Sequence, residues 1–220
     1  MLVNKETQNS KLYQQYLEQG CQRLGLQLSS TQHDQLINYL QQLKQWNQVY
    51  NLTAIHHLQD MVNLHLLDSL SLVSVLLDKA ISRIIDVGTG AGLPGLVLAI
   101  VMPDKQFTLL DANGKKIRFL KQIKHDLQLV NINLQLTRAE QFRPDQCYDR
   151  VISRAFAPLP DMLCQTSHLV CQTGQFIAMK GRYPESEIAC LPGQFSLLNS
   201  QPLRVPGIAA ERYLISVGLK

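Results

Sequence analysis

Residues 84–95 read Ile84-Ile85-Asp86-Val87-Gly88-Thr89-Gly90-Ala91-Gly92-Leu93-Pro94-Gly95. A β-branched strand runs into a glycine-dense turn, and an apolar segment, Leu96 to Met102, leaves it. Four glycines fall within eight residues, at Gly88, Gly90, Gly92 and Gly95. Glycine takes positive φ freely and lets backbone approach a ligand with no Cβ in the way. Strand, glycine turn and helix N-terminus in succession form the first βα crevice of a doubly wound sheet, where nucleotide-like ligands bind. The stretch therefore predicts both an α/β fold and the place to look for a site.

Downstream, the pattern alternates. Phe107–Leu110 predicts a second strand ending at Asp111, and Lys115–Leu127 a helix with Ile117, Leu120, Ile123 and Leu127 on its core face. Further strands are expected at Ile132–Leu136, Arg150–Ser153, Gln175–Lys180 and Arg212–Val217, with a helix over Met162–Val170. Leu191–Gly207, rich in Pro and Gly, reads as a loop with a short edge strand at Phe195–Leu198. Strands alternating with helices of this length imply βαβ units and a parallel sheet.

Upstream, the pattern is helical throughout. Lys11–Leu28 is polar and glutamine-rich, and Thr31-x-x-Asp34 resembles a capping box. Leu36, Ile37, Leu40 and Leu43 then share a stripe at helical spacing. Trp46 and Tyr50 share a face and are expected in the core rather than stacked on a base. Asp60 is a candidate cap for a helix over Met61–Leu77 that is apolar nearly all round, which predicts burial on most sides. His65 and Asp68 interrupt it three residues apart and could pair. We read residues 1–80 as a helical cap packed on a domain formed by residues 81–220.

Composition bounds the answer without choosing it. The chain has 220 residues, 45% hydrophobic and 17% charged, with a formal net charge of +4. A mildly basic balance tolerates a nucleic-acid partner but does not demonstrate one. The first ten residues are polar and predict no secretory segment, and no apolar run approaches a membrane span. The five cysteines, Cys21, Cys147, Cys164, Cys171 and Cys190, show no C-x-x-C spacing. That argues against a zinc site and a disulfide framework, and predicts reduced thiols in a cytoplasmic protein.

Two ligands compete for the glycine turn. A dinucleotide fingerprint needs G-x-G-x-x-G, and Leu93 stands where its third glycine belongs. What stands instead is Asp86-x-Gly88-x-Gly90-x-Gly92. A carboxylate ahead of the first glycine repels phosphate and suits a cation. S-adenosylmethionine (SAM), with its ammonium and sulfonium, is such a ligand. Asp111 can accept both ribose hydroxyls. NAD and SAM share that ribose, and a helix cap is the competing role for Asp111. Thr137-Arg138-Ala139-Glu140 follows the third strand, where backbone at Ala139 and Glu140 could read an adenine edge.

Six motifs occur in a fixed order: WNQVYNLT (Trp46–Thr53), HLLDSL (His65–Leu70), DVGTGAGLPG (Asp86–Gly95), LLDANGKKIRFL (Leu109–Leu120), VISRAFAPL (Val151–Leu159) and MKG (Met179–Gly181). Together they resemble the bacterial ribosomal RNA small subunit methyltransferase G family, also called GidB, over about Leu36 to Arg212. The resemblance implies a doubly wound, Rossmann-like SAM methyltransferase sheet with an N-terminal all-helical cap. It implies methylation of N7 of one guanosine in 16S ribosomal RNA, on free RNA or a small-subunit particle, by a cytoplasmic monomer. Carried over by position, Asp86, Gly88, Gly90, Leu93, Asp111, Ala139, Glu140 and Arg154 would bind the cofactor. Arg138, Arg154 and Arg212 would handle RNA or the target base, and Lys115 and Lys116 would touch phosphate.

Chemistry is consistent with that target. Guanine N7 has a free lone pair and no proton, so no general base is needed. Alignment and exclusion of water are the work required. Amino-directed enzymes carry an Asn/Asp-Pro-Pro-aromatic motif after the fourth strand, where this chain has Ser153-Arg154-Ala155-Phe156. Cytosine C5 enzymes need a cysteine nucleophile near that strand; Cys147 precedes it and Cys164 lies in the next helix. A methyltransferase acting on a small molecule or protein, and a NAD-dependent oxidoreductase on the same fold, remain the alternatives.

Overall fold

The computed structural model describes residues 2–220, with side-chain surroundings for residues 12–57 and 59–220. Two long helices open the chain, α1 (Leu2–Arg23) and α2 (Ser30–Tyr50). The box that starts α2 lies two residues earlier than Thr31-x-x-Asp34. Ser29 Oγ accepts from Gln32 N–H, and the Gln32 side chain accepts from Ser29 N–H. Ser29 wins because its extended backbone leaves Oγ facing the free amides of the first turn. The predicted stripe of Leu36, Ile37, Leu40 and Leu43 is fully packed. Trp46 stacks on Tyr50 at 5.2 Å and tilts against Phe119 at 5.5 Å, at the edge of the core.

The single helix expected over Met61–Leu77 is broken. It runs as α3 (Leu58–Met61), a π turn (Val62–Leu67), α4 (Asp68–Leu70) and α5 (Val73–Leu76). Ser69 Oγ donates to His65 C=O and Ser71 Oγ to Asp68 C=O, both at 2.6 Å. Hydroxyls that bond back to carbonyls three and four residues earlier compete with the helical ladder and bend it. The segment is nonetheless buried on nearly every side, as its composition predicted.

Seven strands follow: β1 (Arg83–Val87), β2 (Gln106–Asp111), β3 (Ile132–Leu136), β4 (Tyr148–Arg154), β5 (Val170–Lys180), β6 (Phe195–Pro202) and β7 (Tyr213–Leu219). Their order in one sheet is β3-β2-β1-β4-β5-β7-β6. The first five are parallel, and the reversal of strand order lies between β1 and β4. The expectation of a parallel sheet needs one correction, because β7 runs antiparallel between β5 and β6. A loop rather than a crossover helix joins β6 to β7, so the chain can only return antiparallel.

Helices α6 (Gly95–Val101) and α7 (Gly114–Asp126) pack on one face together with the N-terminal helices. One apolar cluster runs without a gap from Tyr13 through Leu40 and Leu66 to Ile84, Leu109 and Leu214. On the other face α8 (Leu159–Thr166) covers Ile85, Val151 and Val217, and the short α9 (Glu185–Ala189) follows β5.

The reduced-thiol expectation also needs correction. Cys147 and Cys171 form a disulfide, with Cα atoms 5.0 Å apart; Cys21 is a buried free thiol, and Cys164 and Cys190 are exposed ones. Register brings the pair together, since Tyr148 pairs with Val170 on adjacent parallel strands. No sequence spacing announces such a pairing.

Candidate active site

The glycine turn closes between β1 and α6, beside the point where strand order reverses. Gly88 and Thr89 both donate their N–H groups to Leu110 C=O, tying the turn to β2. Gly88 has φ +69°, and a Cβ there would lie 2.6 Å from the Phe156 ring. Glycine there lets the Phe156 ring lie against the backbone. Gly95 serves packing instead, because a Cβ would strike Leu109 and Asp86.

Asp86, expected to attract a cationic ligand, is buried within the turn. Its side chain is 0% exposed, and Oδ2 accepts from Thr89 Oγ1 at 2.6 Å and from Gly95 N–H at 2.8 Å. It fastens both ends of the turn, one bond holding the free amide that opens α6. Burial pushes its carboxyl up to about 6, opposed by the bonds from Thr89 and Gly95. Oδ2 thus serves the loop, and Oδ1 is buried with no hydrogen-bond partner among the described residues. Leu93 is likewise buried in the apolar cluster, with its N–H donated to Thr89 C=O.

Asp111, expected on the ribose, ends β2 beside the glycine turn. Oδ2 accepts from Gly90 N–H at 2.9 Å and Oδ1 from Asn113 N–H at 2.8 Å. The competing role as helix cap falls to Asn113, whose side chain accepts from Lys115 N–H. Around Asp111 lies a pocket of about 400 Å³ lined by Gly88, Lys116, Arg138, Ala139, Glu140, Ala155, Phe156 and Gln165 among others. Lys116, expected on RNA phosphate, reaches into this pocket with Nζ 3.6 Å from Asp111 Oδ2. Lys115 is exposed outside it. Within the basic run, Lys124 is also occupied, donating to Ile132 C=O.

A second pocket of about 450 Å³ adjoins the first. His65, Asp68, Arg154, Ala155, Met179, Lys180 and Arg212 are among its walls. Ala155 lines both, held at φ +54° just after β4. A non-glycine residue there is strained, which clusters at functional sites. His65 and Asp68 do not pair. His65 Nε2 meets Thr53 Oγ1 at 3.0 Å, and Asp68 Oδ2 accepts from Arg154 at 2.8 Å. Burial, and next the charge of Arg154, push His65 down to about 4, so it is neutral near pH 7.

The structure thus gathers Gly88, Asp111, Ala139, Glu140, Lys116 and Arg138 on one pocket and Arg154 and Arg212 on the next. Sequence reasoning passed over Phe156, Gln165 and Lys180. Phe156 left a signal as neighbour to Arg154, and Lys180 as the centre of the MKG motif. Gln165 lies on α8, placed by packing alone.

The residues fit an adenosine. Asp111 offers remaining lone pairs at the pocket wall, and Phe156, packed against Gly88, and Leu110 give apolar surface. The volume is in the range of small-molecule sites. Fold and pocket define the Rossmann-like class to which SAM-dependent methyltransferases belong. The fold matches TrmN from Thermus thermophilus (TM-score 0.55, 18% identity, 69% of this chain and 48% of that one). It also matches coclaurine N-methyltransferase bound to N-methylheliamine and SAH (TM-score 0.55, 13% identity, 88% and 74%).

Sequence comparison narrows the class. Residues 32–215 match the family model for rRNA small subunit methyltransferase G (GidB). The chain is 48% identical over 199 residues to ribosomal RNA small subunit methyltransferase G of Marinomonas sp. (strain MWYL1), covering 90% of this chain and 94% of that protein. Against the protein of the same name from Chromobacterium violaceum it is 46% identical over 204 residues, covering 93% and 97%. The chain belongs to the rRNA small subunit methyltransferase G family.

Proposed function

We propose that the protein transfers the methyl group of SAM to N7 of a guanosine in 16S ribosomal RNA. The observation that carries this reading is the pair of pockets meeting at Ala155, one suited to adenosine and one walled by Arg154, Arg212 and Lys180. When bound, SAM supplies an electrophilic methyl on a sulfonium. The chain holds the ribose through Asp111, seats the base against backbone at Ala139 and Glu140, and leaves the second pocket for the target nucleotide. Because N7 needs no deprotonation, the site works without a general base, and His65 stays neutral and structural.

The arginines bear on phosphate or guanine O6. A guanidinium forked onto O6 and N7, common in DNA readout, would block the nucleophile. Arg154 is kept from it by bonds to Asp68 and to Leu64 C=O. Arg138, on the rim of the cofactor pocket, and Lys115 beside it supply further phosphate contacts. In this reading residues 1–80 are a cap that lends His65 and Asp68 to the target side. Among the described residues no helix is long and apolar enough to cross a membrane. An RNA substrate of this kind implies a cytoplasmic protein, acting as a monomer on 16S RNA or a small-subunit assembly particle.

The test is 7-methylguanosine in 16S RNA, read by primer extension or mass spectrometry. Deletion of the gene should remove it and the wild-type chain restore it. Retention of every 7-methylguanosine after deletion would refute the target. Titration calorimetry with SAM and NAD decides the cofactor independently.

A further inference from the structure

Asp68 is the most deeply buried charge on the target side, its side chain 3% exposed against 23% for Arg154 and 21% for Arg212. Both guanidiniums converge on it. Arg154 Nη1 donates to Oδ2 at 2.8 Å, and Arg212 Nε lies 3.3 Å from Oδ1. The three residues come from separate parts of the fold: the kinked cap segment, the end of β4 and the loop before β7. Asp68 caps the π turn, its N–H donated to Asn63 C=O. A π turn inside an α-helix re-aims the side chains that follow it and recurs at functional sites.

Three cations, Arg154, Arg212 and Lys180, line this pocket with a single lining carboxylate, while Lys180 has its own partner in Glu187 at 2.7 Å. Two adjacent guanidiniums without an anion between them repel and drift toward solvent. Methyl transfer also makes the purine cationic, so unpaired guanidiniums beside it would oppose the reaction. A buried carboxylate answers both problems at once.

We propose that Asp68 is a positioning residue, a cap-borne anion that holds Arg154 and Arg212 side by side where the target nucleotide enters. The inference rests on the RNA methyltransferase reading above. It goes beyond it by assigning a role in substrate alignment to a residue of the helical cap, through the two arginines rather than by contact with SAM.

The experiment compares the wild-type chain with Asp68→Asn, Arg212→Ala and the double variant. Each is assayed for methyl transfer to small-subunit RNA, kcat and KM separately, and for SAM binding by calorimetry. For Asp68→Asn we expect kcat/KM for RNA to fall about 100-fold, as for other broken buried charge pairs. Its SAM Kd should stay within about threefold, because Asp111 and Gly88 bound the other pocket. Arg212→Ala should add little in the Asp68→Asn background, since residues acting as one unit are not additive. A purely structural role would instead weaken SAM binding and RNA turnover together and leave the two losses additive. Unchanged kcat and KM for RNA in Asp68→Asn would overturn the inference alone. A wild-type chain that does not methylate RNA would remove the functional reading and this inference with it.

Discussion

Asp111→Asn changes one atom at the wall of the pocket proposed for SAM, and its effect can be worked from the contacts. The carboxylate already accepts Gly90 N–H on Oδ2 and Asn113 N–H on Oδ1. A carboxylate offers about four lone-pair sites; the two amides take one on each oxygen and Lys116 Nζ stands 3.6 Å from Oδ2, so the free site on Oδ1 is the one left for a ribose hydroxyl. Hydrogen bonds to a charged group contribute about 1.5–3 kcal/mol each. Asparagine replaces one of those acceptors with an N–H donor and removes the charge from the other. The expected loss is about 2 kcal/mol, or about 30-fold in SAM affinity. Titration calorimetry measures it directly. Because Asp111 also braces the turn, the 2′-deoxy analogue of S-adenosylhomocysteine serves as control. The wild-type chain should lose about tenfold on that analogue, and the variant almost nothing further. A SAM Kd that rises less than about threefold, or an equal deoxy penalty in both chains, would refute the assignment of the ribose to Asp111.

Three further outcomes follow from the same geometry. Gly88→Ala forces a side chain at φ +69° and against Phe156; we expect about 1–2 kcal/mol of lost stability and SAM binding weakened about tenfold or more, measured by thermal unfolding and calorimetry. Asp86 carries a native value raised from 3.8 to about 6, so its contribution is present below the unfolded value and lost as pH rises through the folded one. The stability difference between the wild-type chain and Asp86→Asn should therefore shift by about 2 kcal/mol against the wild type between about pH 4 and pH 6.5. Denaturant titrations across that range check the slope, and a pH-independent difference would contradict the burial of an ionisable carboxyl. Ser29→Ala removes the box that starts α2 and should cost about 1 kcal/mol of stability while leaving kcat and KM for RNA unchanged.

Much of the fold was legible because its signals are local. The β-branched run at Ile84–Val87 and the glycines after it announce a strand and a turn whatever the rest of the chain does. Asp111 was legible too, since a carboxylate at the end of the second strand sits beside the first turn in any sheet of this topology. The broken helix over residues 58–76 was not. Its apolar periodicity is real, but two serine hydroxyls compete with the backbone ladder, and propensity alone gives no sign of it.

Asp86 and Asp68 mark the division most clearly. From sequence, both are carboxylates near a motif, and charge logic sends one to a cationic ligand and the other to a nearby histidine. By itself, the sequence determined the α/β alternation, the ligand-binding turn and, through its ordered motifs, the family. Only the tertiary structure decided that Asp86 is sealed inside the turn and that Asp68 gathers two arginines, one from the end of β4 and one from the loop before β7. It also decided that Cys147 meets Cys171. The reason is physical: backbone preference and periodicity act over a few residues, whereas the partner of a buried charge is set by register and helix docking. Those bring together segments as far apart as Asp68 and Arg212.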